Sequence, residues 1–400
     1  MANAIVIGGG IAGCSTAYAL AQRGITVTLL ERHAEIAQEA SGNPLAMLYP
    51  KLSASNNAQS EMSTLGFQFS LALLQQLPPS ACIYKACGLI QLAFNVAEQA
   101  KQNALLNAES LHKNSHLMRF VDKNEASEIA GIMLNTGGIF LPLAGWIKPA
   151  LWCQALVRSP LISVVTDCTA LTLNKQQNGW QVSTKIQTFT ASNIIICNAN
   201  DIKQFSQCQS AATTPVRGQL NYFSPNCASE NLKTIICSDH YLSPAIDGMH
   251  SIGTTYAPND IDKKIRAADT QSNLHALRQI SPEILNNINL DTVLSRVALR
   301  SQTLDYRSLA GQLLDNEILR ASPPRYNANP VDLPWLHGLY VNAGHGSKGM
   351  ITAPVCGELI ASLICKTAMP IDANLASSMS PNRFLLRELG LKQLAASLYK

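Results

Sequence analysis

Three glycines, Gly8, Gly10 and Gly13, stand at the spacing with which a backbone wraps a pyrophosphate, and the acid Glu31 follows 18 residues after the last of them. The three play separate physical roles, since Gly8 permits a tight turn, Gly10 lets the main chain approach phosphate, and Gly13 allows a helix to pack closely on the preceding strand. Ile11 and Ala12 open that helix, whose free N–H groups and positive end receive the phosphate charge. Glu31, with Arg32 beside it, is placed to accept hydrogen bonds from ribose hydroxyls, and a carboxylate there disfavours a 2′-phosphate. The chemistry implied is dinucleotide binding.

A second cluster, Gly344-His345-Gly346-Ser347-Lys348-Gly349, repeats the glycine spacing near the other end of the chain. Too little sequence follows for another nucleotide-binding unit with its own ribose acid. The segment therefore reads as a loop, Gly344 and Gly346 through Met350, whose backbone approaches a flavin ring and whose following helix N-terminus stabilises negative charge on it. Together with a first site at residue 8, this favours FAD over NAD. A bare helix-entry loop is the competing reading.

Further elements must position these residues. Ala4 to Ile7 reads as a strand buried on both faces, Ile11 to Arg23 as a helix ended by Gly24, and Thr26 to Leu30 as a second buried strand, completing a βαβ unit. A helix is expected from Leu65 to Leu77, stopping before Pro78-Pro79, and a strand from Gly88 to Phe94. Pro149 fits the first turn of a helix running to about Val157. Strands follow at Leu161 to Val165, Trp180 to Thr184, Ile194 to Cys197, Gln219 to Phe223 and Met249 to Gly253, with a helix near Asp269 to Gln279. The last strand, Leu339 to Asn342, leads through the second glycine cluster into a helix from Ile351 to Cys365.

The expected fold is α/β: a Rossmann-like FAD-binding domain with a second, mostly antiparallel α+β substrate lobe. The FAD domain is discontinuous, built from 1–80, 146–215 and 296–400; residues 81–145 and 216–295 form the substrate lobe.

Composition agrees with a packed enzyme, since 47% of the 400 residues are hydrophobic and 14% charged. The net charge of +4 neither demands nor excludes a polyanionic partner. Eleven cysteines without a Cys-x-x-Cys pair, and eight histidines without ligand spacing, argue against a disulfide framework and predict no metal. No uninterrupted apolar run of about 18 residues is seen, so no membrane span is expected, and a cytoplasmic location is the default.

Pro215-Val216-Arg217-Gly218-Gln219, Tyr241-Leu242-Ser243-Pro244 and Arg296-Val297-Ala298-Leu299-Arg300 make the chain resemble the D-amino-acid oxidase and glycine oxidase superfamily. A narrower resemblance rests on Ala40-Ser41-Gly42-Asn43-Pro44, Leu48-Tyr49-Pro50-Lys51-Leu52, Asp247 to Gly253 and Ser380-Pro381-Asn382-Arg383. These look like the oxidoreductase half of the bifunctional tRNA 5-methylaminomethyl-2-thiouridine biosynthesis family. The resemblance implies cofactor contacts at Ser41 and Gly42, tRNA as substrate, and FAD-dependent removal of the carboxymethyl group from 5-carboxymethylaminomethyl-uridine at the wobble position. Members of that family carry a methyltransferase ahead of the flavin domain, whereas this sequence begins a few residues before its first strand. Methylation is therefore left to a separate or fused partner.

Oxidation of a secondary amine needs a carboxylate clamp, and Arg300 is the first candidate because guanidinium offers a bidentate, permanently charged fork. Arg296, four residues earlier, is the alternative. Tyr241 could place a hydroxyl over the substrate or could be ordinary core. Lys348 and Lys51 could meet the flavin, a tRNA phosphate or only solvent. His240, His250 and His345 read as ordinary strand or loop residues. Arg383, Arg387, Lys392 and Lys400 face one acid, Glu388, in the last 20 residues, a tail suited to gripping tRNA phosphates or simply to solvation. The rival function is an oxidase or dehydrogenase of a free amino acid such as glycine, sarcosine or a D-amino acid.

Overall fold

The computed structural model describes residues 3–55, 57–77, 80–107 and 116–400, leaving aside the side chains at 80 and 81. The first strand, β1 (Asn3–Ile7), is central in a six-stranded sheet and pairs in parallel with β2 (Thr26–Leu30) on one side and Asn193–Ile196 on the other. Ile162–Val165 and Trp335–Ala343 extend this sheet in parallel, and Leu309–Leu314 closes it as an antiparallel edge. Near-continuous apolar runs suit strands covered on both faces. Helix α1 (Ile11–Ala21) and the apolar helix Gly349–Cys365 cover one face.

Gly357 lets these two helices touch, since a Cβ there would lie 2.9 Å from the Thr16 nitrogen. Asn342, fully buried, ties the last parallel strand to α1 by donating to Thr16 Oγ1 at 2.9 Å. The span Gly346–Cys365 is long and apolar enough to cross a bilayer, yet here it packs against α1, the Ala58–Gln76 helix and the Leu309–Leu314 strand as a core helix.

The Ala58–Gln76 helix begins a full turn or more before the expected Leu65, because Asn57 caps it, its Oδ1 accepting from the N–H groups of Gln59 and Ser60. The polar first turn hides that start from a search for apolar periodicity. Pro78-Pro79, the expected stop, lies outside the described residues. The strand Thr172–Gln176 also escapes sequence reading because most of its residues are exposed; it forms a meander with Gly179–Ser183 and Thr188–Ala191.

A second sheet of nine strands carries the other lobe. Its long strand Thr213–Phe223 pairs antiparallel with Leu294–Thr303, His250–Gly253 and Ala257–Pro258; Tyr241–Leu242, Ile235–Cys237, Leu89–Leu92, Gly138–Leu141 and Arg119–Val121 continue it. All its pairings are antiparallel except Leu89–Leu92 with Ile235–Cys237. Since Leu294–Thr303 lies wholly in this sheet, a boundary drawn by sheet membership falls after Thr303 rather than before Arg296. Arg296 and Arg300 thus belong to the large sheet and project from its seam with the first.

Candidate active site

The turn after β1 is shaped by contact with the neighbouring strand. Gly8 has φ +107°, and a Cβ there would lie 2.8 Å from the Cys197 carbonyl oxygen. Gly13 packs against the Gly8 carbonyl, so the helix seats directly on the turn. Glu31, at the end of β2, is buried; its Oε2 accepts from the Gly9 N–H at 2.6 Å and its Oε1 from the His33 N–H at 3.0 Å. Ser41 Oγ accepts from the Ile11 N–H at 3.0 Å, capping the start of α1 from a loop thirty residues on.

From this turn a cleft of about 1100 Å³ runs between the two sheets to the second glycine cluster. Gly8, Gly10, Ile11, Ala12, Glu31, Arg32 and Ser41 line one end; Gly344, Gly346, Ser347, Lys348, Gly349 and Met350 line the other, together with Arg300 and Tyr241. Gly13 and Gly42 do not reach the wall. Gly42 instead clears space for the Ala37 carbonyl and the Arg296 guanidinium. Arg32 lines the cleft while pairing with Asp201 at 2.6 Å and Glu39 at 2.8 Å.

The second cluster enters through Gly344 and Gly346, both at positive φ, and passes by a short 3-10 turn into the helix beginning at Gly349. Burial, with Lys51 nearby, pushes the Lys348 ammonium down to about 8. Burial likewise pushes His345 down to about 3, so its ring is neutral; Nδ1 faces the hydroxyls of Ser308 and Thr352, and Nε2 has no partner among the described residues.

The residues present fit FAD. The cleft joins a helix N-terminus framed by close-approach glycines to a glycine loop, and the buried Asn198 Oδ1 and Asn200 Oδ1, both in its wall, have no partner among the described residues. Such acceptors suit hydroxyl and N–H donors of a nucleotide.

Arg300 projects from the Leu294–Thr303 strand. Its Nη2 donates to Thr254 Oγ1 at 2.8 Å and to the Thr255 carbonyl at 3.3 Å, and no carboxylate pairs with it among the described residues. Gly218, on the paired strand, leaves room for this guanidinium, because a Cβ there would overlap it. The Pro215–Gln219 motif is thereby explained, with Arg217 of the same motif fully buried and paired with Asp269. Burial lowers the affinity of Arg300 for its proton, while Tyr241 and Tyr256 act in the opposite sense.

Burial pushes the Tyr241 phenol up to about 12, leaving it a neutral donor at the same wall. Arg296 has other work: its guanidinium donates to Asn43 Oδ1 at 2.5 Å and to the carbonyls of Gln38 and Glu39 at 3.0 Å, pinning the loop that carries Ser41.

The C-terminal tail differs from expectation. Arg383 is fully buried, donates to both Asp305 oxygens at 3.0 and 2.7 Å, and also bonds the carbonyls of Arg307 and Ser308. It cannot grip a phosphate. Arg387 pairs with Asp305 and Glu388 with Arg320, while Lys392 and Lys400 remain exposed. Sequence reasoning missed Tyr256 and Tyr306, which line the cleft with Thr254, because loop aromatics carry no periodic signal, and Gln302, a polar strand residue that nothing in the sequence sets apart.

A family profile described as FAD dependent oxidoreductase matches residues 3–363. Over 398 residues the chain is 38% identical to the tRNA 5-methylaminomethyl-2-thiouridine biosynthesis bifunctional protein MnmC of Methylobacillus flagellatus, covering 99% of this chain and 61% of that protein. The protein of the same name from Pseudomonas syringae pv. syringae is also 38% identical, with 97% and 59% covered. The chain therefore spans about three-fifths of the length of these relatives. Among solved structures, glycine oxidase from Geobacillus kaustophilus superposes with a TM-score of 0.77 at 21% identity, covering 96% of this chain and 99% of that one. L-Proline dehydrogenase from P. horikoshii gives 0.76 at 18% identity, covering 97% and 98%. At such identities the likeness speaks for the fold.

Proposed function

We propose, from the premise that this chain belongs to the FAD dependent oxidoreductase family, that it removes the carboxymethyl group from 5-carboxymethylaminomethyl-(2-thio)uridine at the tRNA wobble position. The observation that carries the reading is Arg300, a desolvated guanidinium in the cleft wall with no carboxylate partner among the described residues. An unpaired buried cation is costly unless a ligand supplies the anion. The glycine-like end of this substrate does so. The RNA part of the reading is supported by the names of relatives 38% identical along nearly the whole chain.

Bound FAD supplies the hydride acceptor. The remaining work falls to side chains. Arg300 holds the substrate carboxylate, and Thr254 and the Thr255 carbonyl hold Arg300. Tyr241 offers a phenolic O–H over the same space. The positive charge of Arg300 disfavours protonation of a nearby amine, keeping the lone pair that must expel hydride. Loss of hydride from the glycine methylene and of the N–H proton leaves an imine; water then adds and the C–N bond breaks, giving glyoxylate and the aminomethyl nucleoside.

The test is nucleoside analysis of tRNA carrying the carboxymethylaminomethyl group after incubation with the FAD-loaded protein. Conversion to the aminomethyl nucleoside, matched by glyoxylate, is expected. Unchanged RNA alongside oxidation of glycine or sarcosine would instead favour a free amino acid as substrate.

A further inference from the structure

Two aromatic side chains at the mouth of the cleft are not among the cofactor and carboxylate contacts proposed above. Tyr256 is 50% exposed and Tyr306 59%, yet both line the cleft. Tyr256 is set in place: Gln302 Nε2 donates to its hydroxyl at 2.7 Å, and the same glutamine side chain lies over Gly346 of the second glycine cluster. Tyr256 directly follows Thr254 and Thr255, the two residues that receive the Arg300 hydrogen bonds, so the ring and the clamp share one stretch of the cleft wall.

Tyr306 is held from below. Its backbone has φ +59°, uncommon for a bulky residue, in a turn fastened by Arg383 through Asp305 and the Arg307 carbonyl, and by Thr303 Oγ1, which also donates to the Arg307 carbonyl. Hydrogen bonds on either side of it thus fix the turn that presents a largely exposed ring at the mouth. Lys348 shares a small cavity with Tyr306, and Lys51 is near Lys348; neither lysine has a carboxylate partner among the described residues. Rings with unpaired cations beside them are the combination that holds an unstacked base and its phosphate.

We propose that Tyr256 and Tyr306 form a nucleobase subsite at the cleft mouth, stacking on the pyrimidine whose side chain descends to Arg300, with Lys348 and Lys51 receiving the adjoining phosphate. This rests on the RNA substrate proposed above. The chemistry recognised is a splayed, single-stranded base with its backbone, and the carboxylate is read separately below it.

The test uses the full chain with FAD bound and an anticodon stem–loop RNA bearing the carboxymethylaminomethyl group, with flavin reduction followed anaerobically. Tyr256→Leu and Tyr306→Leu should each raise the half-saturating RNA concentration about tenfold or more, whereas Tyr256→Phe and Tyr306→Phe should stay within about twofold of wild type. Leucine variants that saturate like wild type would overturn the subsite, as would phenylalanine variants as weak as leucine ones. If a leucine variant fails to fold, the unaltered protein still decides: a stem–loop with 2-aminopurine at the wobble position should lose emission on binding, and unchanged emission would overturn stacking. Unaltered protein not reduced by the RNA at all would remove the functional reading and the subsite with it. That outcome is distinct from reduction that is indifferent to the tyrosines.

Discussion

Arg300 illustrates how much a single residue can commit a site. A guanidinium that, among the described residues, donates only to a hydroxyl and a carbonyl retains donors for a carboxylate, and its strand carries it into the cleft rather than to solvent. Arg300→Ala should lower kcat/KM by on the order of 30- to 1000-fold, or about 2–4 kcal/mol of transition-state binding, while the FAD absorption spectrum persists. Steady-state kinetics on the modified stem–loop would check it.

Lys348 offers a pH signature. Its folded-state pKa, pushed down to about 8 chiefly by burial and then by Lys51, lies below the 10.5 of a free lysine. Between those values the unfolded chain binds the extra proton, so stability rises with pH across that window, and below about 8 the charged lysine is a constant cost. The melting temperature of wild type relative to Lys348→Met should therefore climb between pH 8 and 10.5 and be flat below 8.

At the scale of elements, the parts of the site differ in how openly the sequence declares them. The βαβ unit was legible because glycine spacing, apolar runs and Glu31 all agree locally. The place of Arg300 was legible only through family resemblance, because it depends on the pairing of Leu294–Thr303 with Thr213–Phe223, two segments far apart in the chain. That pairing also explains why residue 218 is a glycine. Gly218→Ala should push the guanidinium aside and raise KM for the carboxylate substrate roughly tenfold or more while FAD stays bound, a split visible by comparing substrate titration with flavin content. Gly42 shows the converse: a motif glycine expected at the cofactor instead makes room for Arg296, which turns from candidate clamp into a pin for the Ser41 loop.

For the molecule as a whole, the cleft lies where two sheets meet, with the Gly8 to Gly13 turn supplied by one and Arg300, the proposed carboxylate clamp, by the other. The tail shows why the sequence alone could not supply the electrostatic picture. Arg383 and Arg387 are cations in the sequence, but in the fold both turn to Asp305, while Lys348 and Lys51, about three hundred residues apart, line the cleft with no carboxylate partner among the described residues.

The most direct measurement is anaerobic reduction of the bound flavin by tRNA carrying the carboxymethylaminomethyl group, with glycine and sarcosine in parallel. Rapid bleaching by the RNA is predicted, with glyoxylate released in proportion to flavin reduced. Bleaching by the free amino acids alone would contradict the assignment of a tRNA substrate.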